Sequence, residues 1–138
     1  MKKLLLTIFS TSLLFGFSAM EIKLQIISKI AHEVVKKDIV KVSIDDEKFY
    51  RHSNFLYNIE LIKSAQNADI LFLSQEFNYK RFSYKKYIFA TSYKLFKKYP
   101  DILGVFFWQK GRPNIIIRES VAKKLGISFS KDFEKFLD

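Results

Sequence analysis

The chain has 138 residues, with 24 Lys and Arg against 14 Asp and Glu, and therefore a formal net charge of +10, and it has no cysteine. This length excludes a multidomain protein, and the lack of cysteine excludes both disulfides and lipid attachment to a thiol. The basic charge is compatible with an acidic partner, but Lys, Ile, Phe, Tyr and Asn are all abundant, which is the bias that AT-rich coding produces, so a basic charge without any partner is the preferred interpretation.

The first segment has the layout of a secretory signal peptide. Lys2 and Lys3 form a cationic start, and residues 4–17 form an apolar run that is shorter than the about 20 residues of a membrane span. Cleavage after Ser18 places small residues at both positions that signal peptidase inspects. Cleavage after Ala19 places a phenylalanine at one of them and is less favoured.

We therefore predict a signal peptide over residues 1–19 and one domain over residues 20–138, located in the periplasm. Removal of Lys2 and Lys3 reduces the formal net charge from +10 to +8. An uncleaved amino-terminal anchor is the alternative.

The mature chain begins with a helix and a strand. Residues 22–35 carry apolar side chains every three or four positions, which predicts an amphipathic helix. Residues 39–44 alternate between apolar and polar side chains, as a half-buried strand does, and the acidic pair that follows predicts a turn. Residues 59–62 form a short apolar segment, and residues 64–69 a polar connector.

The middle of the chain predicts two buried strands. Residues 70–73 are continuously apolar between polar neighbours, which is typical of a strand covered on both faces in a parallel sheet. Residues 75–86 lack a clean period and predict a short irregular helix or a loop. Residues 87–91 form the second buried strand, and Ser92 is the N-cap of a helix over residues 93–99 that the next proline ends.

The carboxyl-terminal third predicts a hairpin and two helices. Residues 103–109 and 114–117 flank a turn over residues 110–113, which contains Gly and Pro. Residues 118–125 predict a helix closed by a glycine, and residues 131–137 a last short helix.

The order of these elements predicts an α/β fold. Alternating strands and helical segments imply a single-domain sandwich, with a mostly parallel sheet flanked by helices and a carboxyl-terminal β-hairpin.

The residues that carry chemistry form no convincing catalytic or metal-binding pattern. His32 and His52 have no neighbouring ligand at metal-site spacing. Asp45 and Asp46 are compatible with calcium or acid–base chemistry, but adjacent acids after a strand more often make a solvated turn. Ser53 lacks the glycines of a nucleophile elbow. We predict a protein that is not an enzyme, with no cofactor and no metal.

Two segments are candidates for contact with a partner. Residues 78–87 interleave basic and aromatic side chains, which suit a protein interface or an anionic membrane surface, whereas export makes nucleic acid an unsuitable partner. A basic loop with its aromatic side chains turned to the core is the equal alternative. The candidate binding residues in this segment are Tyr79, Arg81, Tyr84 and Lys85.

The second segment is the hairpin turn. Trp108, Lys110 and Arg112 lie at or beside it and would anchor a partner if they are exposed. The preferred alternative is a packed tryptophan, because Phe106 and Trp108 share one strand face. Arg118 follows the hairpin and is a further candidate for binding.

Residues 68–137 resemble the YfiR-like family of small periplasmic proteins. The motif A-D-I-L-F-L-S spans residues 68–74, and A-x-x-x-G-I-x-x-S-x-x-F spans residues 122–133. The other matching features are the strand over residues 87–91, Gly104, Phe106, Phe107 and the apolar strand over residues 115–117. The chain departs from the family in having no cysteine, in having Arg118 where an asparagine is frequent, and in lacking a tryptophan–proline pair after the first helix.

The resemblance implies a non-enzymatic regulator. Such a protein binds the periplasmic domain of an inner-membrane sensor protein, such as a diguanylate cyclase, and restrains cyclic-di-GMP synthesis. The alternative is a small periplasmic solute-binding module that holds an anionic ligand at strand ends through helix amino termini and basic residues such as Arg112 or Arg118. A third hypothesis is an accessory protein of the envelope or of a motor.

Overall fold

The computed structural model describes residues 18–51 and 57–138, which form five helices around a six-stranded sheet. The helices are α1 (Ala19–Val34), α2 (Glu76–Phe82), α3 (Tyr93–Lys98), α4 (Glu119–Leu125) and α5 (Lys131–Glu134). The strands are β1 (Val40–Ile44), β2 (Ile59–Leu61), β3 (Ile70–Leu73), β4 (Ile88–Ala90), β5 (Gly104–Gln109) and β6 (Arg112–Ile117). Short 3₁₀ helices cover Glu47–Arg51 and Ala65–Asn67.

The sheet has the strand order β2-β1-β3-β4-β5-β6. All neighbouring strands are parallel except β5 and β6, which form an antiparallel hairpin. The predicted α/β fold with a mostly parallel sheet and a carboxyl-terminal hairpin is therefore confirmed. Strands β3 and β4 are buried at every position, because helices cover both faces of the sheet.

Helices pack on both faces of the sheet and form two layers, each of which covers one hydrophobic core. The front layer consists of α1, α4 and α5, and the back layer of α2 and α3. The front core includes Ile27, Val42, Phe72, Phe89, Phe106, Ala122 and Phe133. The back core includes Leu71, Leu73, Tyr79, Ile88, Leu95, Phe96 and Val105.

The chain winds away from β1 in two directions. The connection from β1 to β2 packs Phe49 and Tyr57 on the front core, whereas the connection from β2 to β3 packs Ala65 and Ala68 on the back core. Helices α2 and α3 then continue on the back. The chain thus changes direction between β1 and β3, and a crevice is expected at the carboxyl ends of these strands.

The helix ends follow from local chemistry. Helix α1 begins earlier than predicted, because Ser18 forms a capping box with Glu21 and accepts its backbone N–H at 3.1 Å. Ser92 accepts the N–H of Leu95, as predicted, and Gly126 ends α4 in the left-handed conformation.

Further details differ from the prediction. The hairpin turn comprises only Lys110 and Gly111, both at positive φ, so Pro113 belongs to strand β6, where it pairs with Trp108. An edge strand such as β6 tolerates a residue without a backbone N–H. Helix α5 is shorter than predicted because Leu137 bridges to Ile117. The segment predicted as irregular contains the regular helix α2.

Residues 1–17, which hold the predicted signal peptide up to its last two residues, lie outside the described residues. Within the described ranges, no helix is both long enough and apolar enough to cross a bilayer.

Candidate functional site

A cleft of about 330 Å³ opens at the carboxyl ends of the parallel strands. Helix α1, the first 3₁₀ helix, strand β5 and the residues that follow β1, β3 and β4 supply its lining. The lining residues are Lys23, Ile27, Asp46, Phe49, Ser74, Thr91, Phe106, Phe107 and Trp108. The cleft therefore lies at the point where the chain changes direction, which is the usual place for a binding site in such a sheet.

The position of each polar lining residue follows from the strand before it. Asp46 comes two residues after β1, Ser74 directly after β3, and Thr91 directly after β4. Parallel strands end at one edge, so these side chains meet although they are far apart in the chain. Helix α1 adds Lys23 one turn before Ile27. Sequence reasoning missed this set, although polar residues directly after buried strands are a signal for it.

The wall of the cleft is aromatic. The rings of Phe106 and Trp108 lie 6.4 Å apart in an edge-to-face arrangement, and the ammonium of Lys23 lies 5.6 Å from the centre of the Trp108 ring. Phe106 is buried and Trp108 is half-buried against the front core, so the prediction that they share one face is confirmed. Trp108 thus presents part of its ring to the cleft.

The two acidic residues after β1, Asp45 and Asp46, have different roles. The carboxylate of Asp45 accepts hydrogen bonds from the backbone N–H groups of Ser74 and Gln75 and from the side chains of Ser74 and Asn78. The solvated-turn interpretation is therefore wrong for Asp45. Its negative charge lies directly before the amino terminus of α2, where the helix dipole favours it. Asp46 accepts the N–H of Lys48 and lines the cleft.

The hairpin tip stands at the same edge as the cleft. Strand β5 runs towards this edge, so the turn that follows Trp108 and Gln109 projects there. Lys110 and Arg112 are both exposed. The structure thus brings these two predicted binding residues and Trp108 to one end of the molecule.

The predicted basic and aromatic segment is divided between core and surface. Tyr79 is buried in the back core, with its ring 4.3 Å from that of Tyr99, and burial raises the pKa of its hydroxyl. Arg81 and Tyr84 are exposed. Lys85 is half-buried and donates to the carbonyl of Gln66 at 2.8 Å. Tyr79 is therefore a core residue, because the helix turns it towards the sheet.

Arg118 lies at the opposite edge of the sheet and does not take part in the cleft. Its guanidinium donates to the carbonyls of Phe96, Tyr99 and Ile102 and stacks on the Phe96 ring, with its central carbon 3.8 Å from the ring centre. These carbonyls belong to the end of α3 and the loop before β5. The candidate binding role of Arg118 is replaced by a role in the fold, because its donors are directed at these carbonyls.

A polar cluster that the sequence did not predict joins α2 to α3. Tyr99 donates to the carboxylate of Glu76, and Lys98 lies 2.6 Å from the same carboxylate. Lys98 and Tyr99 together lower the pKa of Glu76 to about 2, and the bond to Glu76 raises the pKa of Tyr99 to about 12. The cluster ties the two helices of the back layer together.

His32 does not line the cleft. The Nδ1 atom of His32 lies 2.8 Å from the carbonyl oxygen of Ser28, and its Nε2 atom 3.2 Å from that of Asp38. His52 and Ser53 lie outside the described residues. In the part of the chain that the structure describes, no three His, Asp or Glu side chains form a group that would hold a metal ion.

Comparison with family models finds no match for this chain, and comparison with curated proteins finds none either. The resemblance to the YfiR-like family therefore remains a prediction from the motifs described above.

Proposed function

We propose that this chain is an exported binding protein without catalytic activity, which restrains an inner-membrane sensor protein, such as a diguanylate cyclase, through its periplasmic domain. The observation that carries this proposal is the end of the molecule that holds the cleft. There, the half-buried ring of Trp108 lines an aromatic cleft, and the exposed cations of Lys110 and Arg112 lie at the hairpin tip, at the same end of the molecule. Aromatic and arginine side chains at the centre of a surface are typical of protein interfaces.

The chemistry of this end favours an acidic partner segment with an apolar anchor. The ring walls accept an aliphatic or aromatic side chain, while Lys23, Lys110 and Arg112 attract carboxylates around it. Asp46 supplies one negative charge at the rim and thereby restricts how the partner is oriented.

The resemblance gives the class of partner, and the fold is compatible with it. Two of the motifs that carry the resemblance cover β3 at the centre of the sheet and α4 with the start of α5 in the front layer. These motifs therefore belong to the elements that build the fold. Residues 108–114 of the hairpin lie outside the features that carry the resemblance, so we assign specificity for one partner to them.

The first test is a pull-down from detergent-solubilised inner membranes with the tagged mature protein. We expect enrichment of a membrane sensor protein, and about tenfold less of it with Trp108→Ala or Arg112→Ala, since truncation of an interface anchor costs 1–2 kcal/mol or more. Lys131→Ala, an exposed cation in the front layer, is the matched control and should leave enrichment unchanged. Failure to enrich any membrane sensor protein would contradict the proposal.

The second test measures signalling in the native host. Deletion of the gene should raise the cyclic-di-GMP level, and the unaltered gene should restore it while the Trp108→Ala gene should not. Restoration by the Trp108→Ala gene at equal protein level would show that the hairpin end is not the contact.

A second candidate function is the binding of a small anionic solute, which the cleft favours through its volume and through Lys23. Arg112 stays available for this role, whereas Arg118 does not. Thermal unfolding in the presence of small carboxylates and phosphates tests it. A ligand-specific rise of the midpoint that Lys23→Gln abolishes would favour this function over partner binding, and an unchanged midpoint with every anion would remove it.

A further inference from the structure

The two helical layers differ in charge. In the back layer, residues 76–99 contain one acid, Glu76, against seven cations, which are Lys80, Arg81, Lys85, Lys86, Lys94, Lys97 and Lys98. In the front layer, residues 19–34 and 119–138 contain equal numbers of acids and lysines. The lysines there are Lys23, Lys29, Lys123, Lys124, Lys131 and Lys135, and the acids are Glu21, Glu33, Glu119, Asp132, Glu134 and Asp138. The net positive charge of the helices is thus concentrated on the back.

Most of the back-layer cations are exposed and have no carboxylate partner among the described residues. Six of the seven are exposed, and Lys85 is half-buried. Among the described residues, Lys98 is the one member of this set with a carboxylate within 4 Å, that of Glu76. Six of the seven are lysines, which act as flexible point charges, whereas bidentate recognition of single carboxylates favours arginine. Such a set suits a diffuse negative field more than a fixed acidic site.

Exposed aromatic side chains accompany this charge. The structure describes four large apolar side chains as exposed, and three of them lie in the back layer: Phe77, Tyr84 and Tyr93, with exposed fractions of 70%, 67% and 44%. The fourth, Ile39, lies between α1 and β1. Aromatic side chains beside lysines are enriched at the boundary between water and lipid, where the ring enters the headgroup region.

We propose that the back layer is a membrane-contact surface, which lies on an anionic phospholipid bilayer with its cations at the headgroups and Phe77 and Tyr84 as interfacial anchors. The cleft and the hairpin tip lie at an edge of the sheet and therefore stay accessible while the back layer rests on lipid. This inference is independent of the partner proposed above, since it uses other residues.

Vesicle sedimentation tests the electrostatic part. The mature protein is mixed with phosphatidylcholine vesicles that contain about 30% phosphatidylglycerol, or with phosphatidylcholine alone. We expect binding to the anionic vesicles only, with release as NaCl rises from about 0.1 M to about 0.5 M. Lys94→Gln combined with Lys97→Gln should weaken binding more than tenfold, since each cation near the surface contributes about fivefold.

The matched control is Lys123→Gln combined with Lys124→Gln, which removes the same charge from two exposed positions of the front layer. This variant should bind within about twofold of the unaltered protein. Equal losses for the two pairs would overturn the proposal, because they would show that net charge alone drives binding. Equal binding to neutral and anionic vesicles, or no binding to either, would overturn it as well.

The anchors have a separate control. Phe77→Ser combined with Tyr84→Ser should weaken vesicle binding at least about fivefold, whereas Ile39→Ser, at an exposed apolar position outside the back layer, should not. All altered side chains are exposed, and an unchanged thermal midpoint establishes that the variants fold. Retention of full binding by the folded Phe77 and Tyr84 variant would exclude these residues as anchors.

Discussion

The carboxylate of Asp45, at the end of β1, accepts the backbone N–H of Ser74 at 2.8 Å and its hydroxyl at 3.0 Å. Ser74 follows β3, so this contact bridges the two strands between which the chain changes direction. It joins the carboxyl ends of these strands beside the cleft, and it places a negative charge before the amino terminus of α2, where such a charge is favourable.

Asp45→Ala should destabilise the domain by about 2–3 kcal/mol, because several donors lose a charged acceptor at once. Asp46→Ala, which removes one local hydrogen bond, should cost less than about 1 kcal/mol. Urea unfolding at neutral pH measures both values. Equal costs for the two substitutions would contradict the assigned role of Asp45.

Glu76→Gln should reduce the dependence of stability on acid pH. The fold lowers the pKa of Glu76 from 4.5 to about 2, chiefly through Lys98 and Tyr99, so its contribution is complete above pH 4.5 and is lost as the pH falls towards 2. Unfolding free energies at about pH 5 and about pH 2.5 should differ less in Glu76→Gln than in the unaltered protein. Glu60→Gln, at an exposed position of β2, is the control and should retain the original dependence.

Arg118→Lys should destabilise the domain by about 2 kcal/mol, since an ammonium cannot reach the three carbonyls that the guanidinium bonds and cannot stack on Phe96 in the same way. Arg112→Lys keeps the charge at an exposed site and should change stability by less than about 0.5 kcal/mol. Chemical denaturation separates the two. A tolerated Arg118→Lys would mean that charge alone suffices at this position.

Gly104→Ala should destabilise the domain by about 2–3 kcal/mol through overpacking. A Cβ atom at this position would lie 2.6 Å from the carbonyl oxygen of Ile116 and 2.6 Å from a ring carbon of Phe89. Adding Phe89→Leu should recover only part of the loss, because the ring contact is relieved and the backbone contact is not. Full recovery in the double variant, measured by thermal unfolding, would assign the whole cost to the ring.

Lys110→Asn should stabilise the hairpin by about 0.5 kcal/mol. Lys110 has a φ of 53° at the first central position of the turn, and asparagine adopts this region at lower cost than lysine. Lys110→Ala, which loses the same charge without this preference, is the control and should not stabilise the domain. A gain in thermal midpoint for both variants would attribute the effect to charge.

The sequence alone determined the elements that depend on neighbours in the chain. The continuous apolar run of β3 and the serine cap of α3 are local signals, because period and capping act over a few residues. The alternation of these elements was sufficient for the fold class. The sequence did not determine the length of the turn at Lys110 and Gly111, because two turn lengths are compatible with the same four residues.

Only the tertiary structure decided which residues meet. Asp45 contacts Ser74, which is 29 positions away in the chain, and Arg118 contacts Phe96, which is 22 positions away. Both contacts depend on a strand order that no local pattern encodes. The same order gathers the ends of β1, β3, β4 and β5 into one cleft, and it separates Arg118 from Arg112 although they are only six positions apart in the chain. Hydrophobic periodicity determines which face of each element is buried. The neighbours of each element are selected by packing of the whole sheet, and the cleft and the Asp45 and Arg118 contacts could therefore not be predicted from the sequence.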